Sequence, residues 1–415
     1  MRMSVVAALT LLLAPAAVSA APASPTYHRD VAPIVLSNCA ACHRPGEAGP
    51  FPLLSYDDVK RRSQQVVRVT ADRLMPPWKP VPGDVHFVGE RRLTDAQVAT
   101  IKAWADAGCP EGDPADAPPM PRFPDGWQLG TPDLVVTMPE PFAVPADGPD
   151  IYRSFHLPVE IPPGKYVRAA EYRPGNRRVV HHAVLSTMKR EQIAKRLAAE
   201  PPGSGAGFKS GLNAPGDRLP GAPGIWVPGK DPLPLPSGYA MVWPAGADLL
   251  VQLHLHPSGR PETERSQVGL YLTDEPPRGA LVPLALLERN VDIPPGAKGH
   301  TLRKSLTVKQ DAELVGMFPH MHLIGRTCEA TAKLPDGRSV NLLTIRDWDF
   351  RWQGYYQPSE RVKLPAGTVV ECVWTFDNSA DNPAQPSNPP RRVRFGEQTT
   401  DEMGAIVLDV IRTGK

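Results

Sequence analysis

The chain has 415 residues, room for two or three domains each with its own core. Its formal charge of +2, with neither a basic stripe nor an acidic tail, excludes the electrostatic footprint of a nucleic-acid partner. The 51 prolines and 34 glycines exclude a helical bundle and suit short strands joined by turns.

At the N-terminus Arg2 precedes an apolar run over residues 5–13 and the small-residue triplet Val18-Ser19-Ala20. That is the pattern of a secretory signal cleaved near Ala20, so residues 1–20 read as a signal peptide. The run is too short to span a bilayer, and no later segment makes a convincing transmembrane helix. The mature chain is therefore expected to be exported, periplasmic or secreted, with no transmembrane segment.

The first module, residues 26–109, carries Cys39-Ala40-Ala41-Cys42-His43. Two cysteines three apart followed at once by histidine form the attachment pattern of covalent haem c: the thiols of Cys39 and Cys42 add to the vinyl groups, and His43 becomes the proximal iron ligand. Capping boxes at Ser55/Asp58 and Thr94/Gln97 each open a helix. The first must stop by Leu74, because Pro76 and Pro77 follow; the second places Val98, Ile101 and Trp104 on one face and ends at Gly108. Met75, in the proline-fixed loop between them, is the candidate sixth iron ligand, with His86 as its rival. The segment resembles the mono-haem cytochromes c, which implies a small all-α domain.

Residues 110–126 are rich in Pro, Asp, Ala and Gly and read as a linker. Beyond them only residues 190–200 suggest a helix. Short apolar segments at 134–137, 166–170, 179–185, 249–256, 268–272, 313–323, 368–376 and 404–411, separated by turn signals, predict a mainly β region. Its length suits two antiparallel, jelly-roll-like β-sandwiches, residues 127–265 and 266–415, with no clear internal repeat. Residues 201–236, rich in Gly and Pro, read as a long loop over the surface or over a site.

Six of the 11 histidines fall into three pairs, each in a predicted apolar strand: His181-His182, His254/His256 and His320/His322. Residues i and i+2 of a strand share a face, so His320 and His322 can present two imidazoles to one metal ion, as can His254 and His256. Adjacent His181 and His182 point oppositely in a regular strand and need a bulge or a strand end to converge. Imidazoles suit Zn, Cu, Fe and Ni; a thioether would tip the choice towards copper. Met317 and Met321, the nearest methionines, alternate onto the face opposite His320 and His322.

Four pieces, His181-His182, Val251-Gln252-Leu253-His254, His320-Met321-His322 followed by Gly325-Arg326, and Asp401-Glu402-Met403, resemble in kind and order the motifs of the copper type II ascorbate-dependent monooxygenases. That family includes peptidylglycine hydroxylating monooxygenase and dopamine β-monooxygenase, and the resemblance covers residues 127–415. It implies two copper ions: an electron-transfer site at His181, His182 and His254, and an oxygen-activating site at His320, His322 and the thioether of Met403. It gives His256 no ligand role. Where the peptide-hydroxylating members hold a substrate carboxylate, with an Arg and a Tyr, this chain has Phe318 and Val407, and no acidic residue stands there to meet an amine. The departures point away from peptidylglycine and catecholamines, towards an apolar or neutral small-molecule substrate. Where relatives pair a cysteine like Cys372 with one directly after the methionine ligand, this chain has Gly404. Cys328 and Cys372, both on predicted strands of an exported chain, are then expected to form a disulfide, leaving Cys109 as a spare thiol in the linker.

The resulting expectation is an oxidoreductase that hydroxylates a C–H bond with O2. One electron would be held at each copper, and an external reductant or redox protein would feed them through the haem, in place of or alongside ascorbate. Tethering the haem module to the oxygenase would set its effective concentration to about the millimolar range. Two competing expectations are a non-catalytic electron-transfer or copper-binding protein on the same scaffold, and a zinc hydrolase using three histidines.

Overall fold

The structure, a computed structural model, describes residues 24–413 apart from 48, 124–125, 210–216, 219–223, 229–231, 280 and 397. The expected signal peptide, residues 1–20, lies outside the described residues. Among the described residues no helix is long and apolar enough to cross a membrane. The chain is mainly β, its sheets antiparallel, with its helices concentrated before residue 107.

In the N-terminal part the regular elements are helices: α1 (Ala32–Asn38), α2 (Tyr56–Arg61), α3 (Ser63–Ala71) and α4 (Asp95–Asp106). Both capping boxes form as the sequence predicts, Ser55 with Asp58 and Thr94 with Gln97. The helix expected to run from the first box towards Leu74 is instead two, interrupted at Arg62, whose ψ of 13° leaves the helical range. Val31, Val35, Val59, Ile101 and Trp104 make one core, and Ile101 and Trp104 are the α4 face that the pattern marks as buried. Cys109 is a correction: it belongs to this core rather than to a linker, is buried, and its carbonyl accepts the Tyr56 hydroxyl at 2.8 Å.

Two further cores follow. The first sandwich joins a sheet of Leu134–Thr137, Gln267–Thr273 and Tyr166–Arg173 to one centred on Ile151–Leu157, Ala247–Leu255 and Val180–Lys189, around Val136, Phe155, Leu185, Leu253 and Leu270. Gln267–Thr273 pairs here, so this sandwich runs past the expected boundary at 265/266. The second takes Leu281–Glu288, Gly404–Arg412, Ala312–His320 and Val362–Leu364 in one sheet, and Lys298–Thr307, Val369–Asp377, Gly325–Lys333 and Ser339–Ile345 in the other, sharing a core. Val370, Cys372, Trp374 and Phe376 show the cause: every second residue of one strand is apolar and fully buried, its neighbours facing outwards. The helix predicted near 190–200 is α5 (Arg190–Ala198). Of the Gly/Pro-rich loop, Phe208–Lys209, Asp217–Arg218 and Ile225–Trp226 pair with the first sandwich.

The helical module does not hang from its linker. Residues 78–88 leave the helices and dock on the second sandwich: Val81 N donates to Thr344 O and Val88 N to Gln357 O, each at 2.8 Å, and Lys79 Nζ meets Asp347 Oδ2 at 3.1 Å. The Trp78 and Phe87 rings pack about Tyr356 at 5.6 and 5.7 Å. Effective concentration is therefore the wrong description of how the modules meet; they share a packed interface.

Candidate functional site

The central strand Ala247–Leu255 is buried along its whole length, and its two faces differ. Leu249, Val251, Leu253 and Leu255 enter the core of the first sandwich, so Gln252 and His254 face the other way. Its neighbour Val180–Lys189 puts Val180, Ala183 and Leu185 into the same core. Between Val180 and His182 the pairing with Ala247–Leu255 slips by one residue, and this bulge turns His181 and His182 both to the outer face. His181, His182 and His254 converge there, their ligand nitrogens within 4.8 Å of one another. His182 Nδ1 lies 3.4 Å from His181 Nδ1 and 3.3 Å from His254 Nδ1.

The chemistry of this set fits a metal ion. His254 Nε2 is held by Asp150 Oδ2 at 2.7 Å, which assigns its Nδ1 to the cluster, and Tyr152 stacks on the ring at 4.3 Å. Burial, and then the neighbouring His254, pull the His181 pKa down to about 4, and the same causes hold His182 well below the ordinary histidine range. Both are thus neutral near pH 7, the form that ligates. Burial pushes the Asp150 carboxyl up, but hydrogen bonds from His254 and His256 outweigh it and hold it at about 2. His256 is exposed and bonds the other oxygen of Asp150 at 2.7 Å, outside the cluster.

The second pair arises where Ala312–His320 ends. His320 is its last residue and His322 lies beyond it, so the expected single strand through both is corrected. Met317 and Met321 are fully buried in the core of the second sandwich, as alternation requires, and Phe318 and His320 face outwards. The imidazoles of His320 and His322 stand 5.0 Å apart. His320 Nδ1 contacts Gln353 Oε1 at 2.6 Å and His322 Nδ1 contacts the Asp401 carbonyl at 3.1 Å, so in each ring Nε2 is the nitrogen that could ligate. Burial takes the His322 pKa down to about 4.

His320 pairs with Ala405, and Ile406, Leu408 and Val410 enter the core, so Ala405 faces the outer side beside His320; Met403, buried, lies two residues before Ala405, just ahead of this strand. Glu402 fixes the arrangement. Fully buried, its carboxylate accepts the N–H groups of His322, Ile324 and Met403 at 3.0, 3.3 and 3.2 Å, tying the end of one strand to the start of the other. Burial raises its pKa to about 8 against the pull of those bonds.

The two outer faces meet. Phe318 and Tyr355 of the second sandwich pack with Ile225, Val184 and Val227 of the first. The Phe350 ring lies between the clusters, 5.9 Å from His181, 6.2 Å from His254 and 5.8 Å from His322, and those legs bound the separation of the rings. Phe318 and Val407, the positions of the expected carboxylate contacts, are directly opposite each other on paired strands beside His320.

In the helical module a cavity of about 340 Å³ is lined by Cys39, Cys42, His43 and Met75 together, with Phe51, Leu53, Val66 and Val69 supplying apolar walls. His43 Nδ1 is engaged by Phe51 O at 3.0 Å, leaving Nε2 available, and a Cβ on Gly49 would press within 2.8 Å of Nδ1. The donor set, two thiols, an imidazole and a thioether within apolar walls, fits a flat apolar group whose metal takes a histidine and a methionine. His86, the rival ligand, is exposed and absent from the lining.

Cys328 and Cys372 are brought together as thiols: their sulfurs lie 3.6 Å apart, beyond the roughly 2.05 Å of a disulfide. The register sets Cys372 opposite Ala330 and Cys328 opposite Trp374, a diagonal relation. Asp150, Tyr152, Phe350, Trp352 and Gln353 escaped sequence reasoning; only the aromatic and amide density of residues 348–353, Trp-Asp-Phe-Arg-Trp-Gln, could have drawn attention to part of this group.

No protein-family profile and no curated protein matches the chain. Among solved structures it is similar to the major capsid protein P2 from bacteriophage PM2, at 7% identity and a TM-score of 0.26 over 67% of this chain and 97% of that one. It is also similar to the PBCV-1 virus capsid, at 9% identity and a TM-score of 0.25 over 70% of this chain and 98% of that one. A third is the infectious bursal disease virus VP2 subviral particle, at 11% identity and a TM-score of 0.20 over 71% and 75%. Likenesses at these scores carry no argument about what the chain does.

Proposed function

We propose that the chain is an exported copper-dependent monooxygenase that hydroxylates a C–H bond of an apolar or neutral small molecule with O2. In this reading its helical module is a cytochrome c domain through which an external reductant or redox protein supplies electrons. The observation that carries the proposal is the meeting of two donor sets, three imidazoles and two imidazoles with a thioether face, across one interface between the sandwiches. When bound, the coppers would supply one-electron redox chemistry and activation of dioxygen, and the haem a one-electron relay.

The chain's own residues divide the work. His181, His182 and His254 would hold one ion in an all-nitrogen set, with Asp150 orienting His254. His320, His322 and Met403 would hold the other, where the soft thioether favours the reduced ion. Gln353 and the Asp401 carbonyl fix the two imidazoles, and Glu402 fixes the backbone that carries His322 and Met403. Phe318 and Val407 offer the substrate an apolar wall with no charge to pair. Cys39 and Cys42 would anchor the haem, and His43 and Met75 would supply its iron ligands.

The test is oxygen uptake by the holoprotein against a panel of apolar and neutral compounds. The proposal predicts uptake that requires a C–H substrate and yields a hydroxylated product, and its abolition in Met403→Ile while the haem is still reduced normally. Normal hydroxylation by Met403→Ile would show that the oxygen site is misassigned. Copper and haem that cycle without any substrate-dependent uptake would favour an electron-transfer protein instead.

A further inference from the structure

Residues 349–353 form one braced turn. Asp349 caps it, accepting Arg351 N at 3.0 Å, and the Arg351 guanidinium closes on the same carboxylate at 2.9 and 2.8 Å. Trp352 N donates to Asp349 O at 2.9 Å, and Gln353 Nε2 donates to Phe350 O at 3.1 Å. Bidentate pairing and backbone bonding together leave this turn little freedom.

Three side chains leave the turn for three places. Trp352 reaches the helical module and lines the cavity of Cys39, Cys42, His43 and Met75; among the described residues it is the one aromatic residue in that lining from outside the module. Phe350 packs against His181, His254 and His322, members of both histidine clusters. Gln353 holds His320 Nδ1. Five consecutive residues therefore touch every redox centre that the proposed function requires.

Resting on that copper and haem reading, we infer that the Phe350–Trp352 turn is the path by which electrons pass from the helical module to the histidine clusters. With both groups bound, each transfer would move one electron, from a ferrous haem held at His43 and Met75 to a cupric ion held by the histidines, with no bond or proton exchanged. The haem is re-reduced by a one-electron donor outside the chain. The other aromatic contact between the modules, Trp78 against Tyr356, leads elsewhere. Trp78 is absent from the cavity lining, and Tyr356 pairs with Met317, whose side chain enters the core away from the histidines. The docking of residues 78–88 keeps Trp352 at the cavity wall, so the path does not wait on a diffusive encounter.

The experiment uses the full-length holoprotein with cupric copper and no oxygen. The haem is reduced by a flash of photoreduced flavin, and its reoxidation is followed by absorbance. The wild-type decay should be independent of protein concentration. Trp352→Leu and Phe350→Leu should each slow it about tenfold relative to direct reduction of the copper by ascorbate in the same sample, equivalent to about 1.4 kcal/mol of barrier. Trp352→Phe, which keeps a ring at the cavity wall, should restore most of the rate; a purely structural role would not give that rescue pattern in variants with equal haem spectra and copper content. Tryptophan fluorescence adds a readout without turnover: attachment of the haem should quench Trp352, so the change on attachment should shrink in Trp352→Phe. Fast wild-type transfer that is unaltered in both leucine variants would overturn the path and leave the copper and haem assignments standing. A wild-type protein that lacks copper or haem, or holds both with no transfer between them, would overturn the reading beneath it as well.

Discussion

The two histidine clusters use the same scaffold, a pair of antiparallel strands with one face in a core, and reach different ends. At His181, His182 and His254 a one-residue bulge at the end of a ladder gathers three imidazoles while the strands still pair, and the set is closed by Asp150 from the side. At His320, His322 and Met403 the ladder has already ended, and Glu402 holds the frayed ends together through three backbone N–H groups. On the function proposed above, the first set would hold an ion that only changes charge, and the second, with a thioether beside an apolar wall, an ion that accepts a ligand next to a substrate. The difference teaches that donors within the last pairs of a ladder are held by the ladder itself, whereas donors beyond its last pair need a buried polar clamp.

The largest effect that would break this comparison is the loss of a ligand. His254→Ala should remove one copper per chain and leave the second, read by metal analysis; loss of both would show that the clusters are one site. Next, Asp150→Asn should weaken metal binding at the first cluster by about 10–100-fold, the usual consequence of losing an outer partner of a ligating histidine, with no effect on the second. Competition with a copper chelator measures it. Glu402→Ala strands three buried N–H groups, each costing about 1–3 kcal/mol, so thermal unfolding should shift markedly downwards, while Glu402→Gln, which keeps acceptor oxygen, should lose less.

The smallest predicted effect concerns acid stability, away from both clusters. Burial pushes Asp248 up, but bonds from His156, the Val159 N–H and Arg190 outweigh it and lower its pKa. A carboxyl lowered on folding adds stability that is present above the unfolded value of about 3.9 and is lost as pH falls through the folded one. Asp248→Asn should therefore lower stability at pH 7 and flatten its acid dependence, as urea unfolding at several pH values would show. An unchanged slope would assign the acid sensitivity to other carboxylates.

Much of this was legible in the sequence. Both capping boxes, the buried face of α4, strands such as Leu134–Thr137, and the need for a bulge at His181-His182 follow from local pattern, because alternation and capping are local physics. The strand Lys298–Thr307 was missed because much of its length is polar or exposed, which hides the period-two signal. Asp150 left no signal, and Phe350 and Gln353 only an aromatic and amide-rich stretch, since what makes them part of the site is proximity across 33 to 169 positions in the chain, and no periodicity encodes that. The docking of residues 78–88 is the same case: their composition reads as a loop, and only the second sandwich gives their backbone groups partners.

The measurement that tests the central claim most directly is the metal and haem content of the purified protein. The account predicts about two copper ions for each covalently attached haem. One zinc with no copper, or a chain whose Cys39 and Cys42 carry no haem, would contradict it.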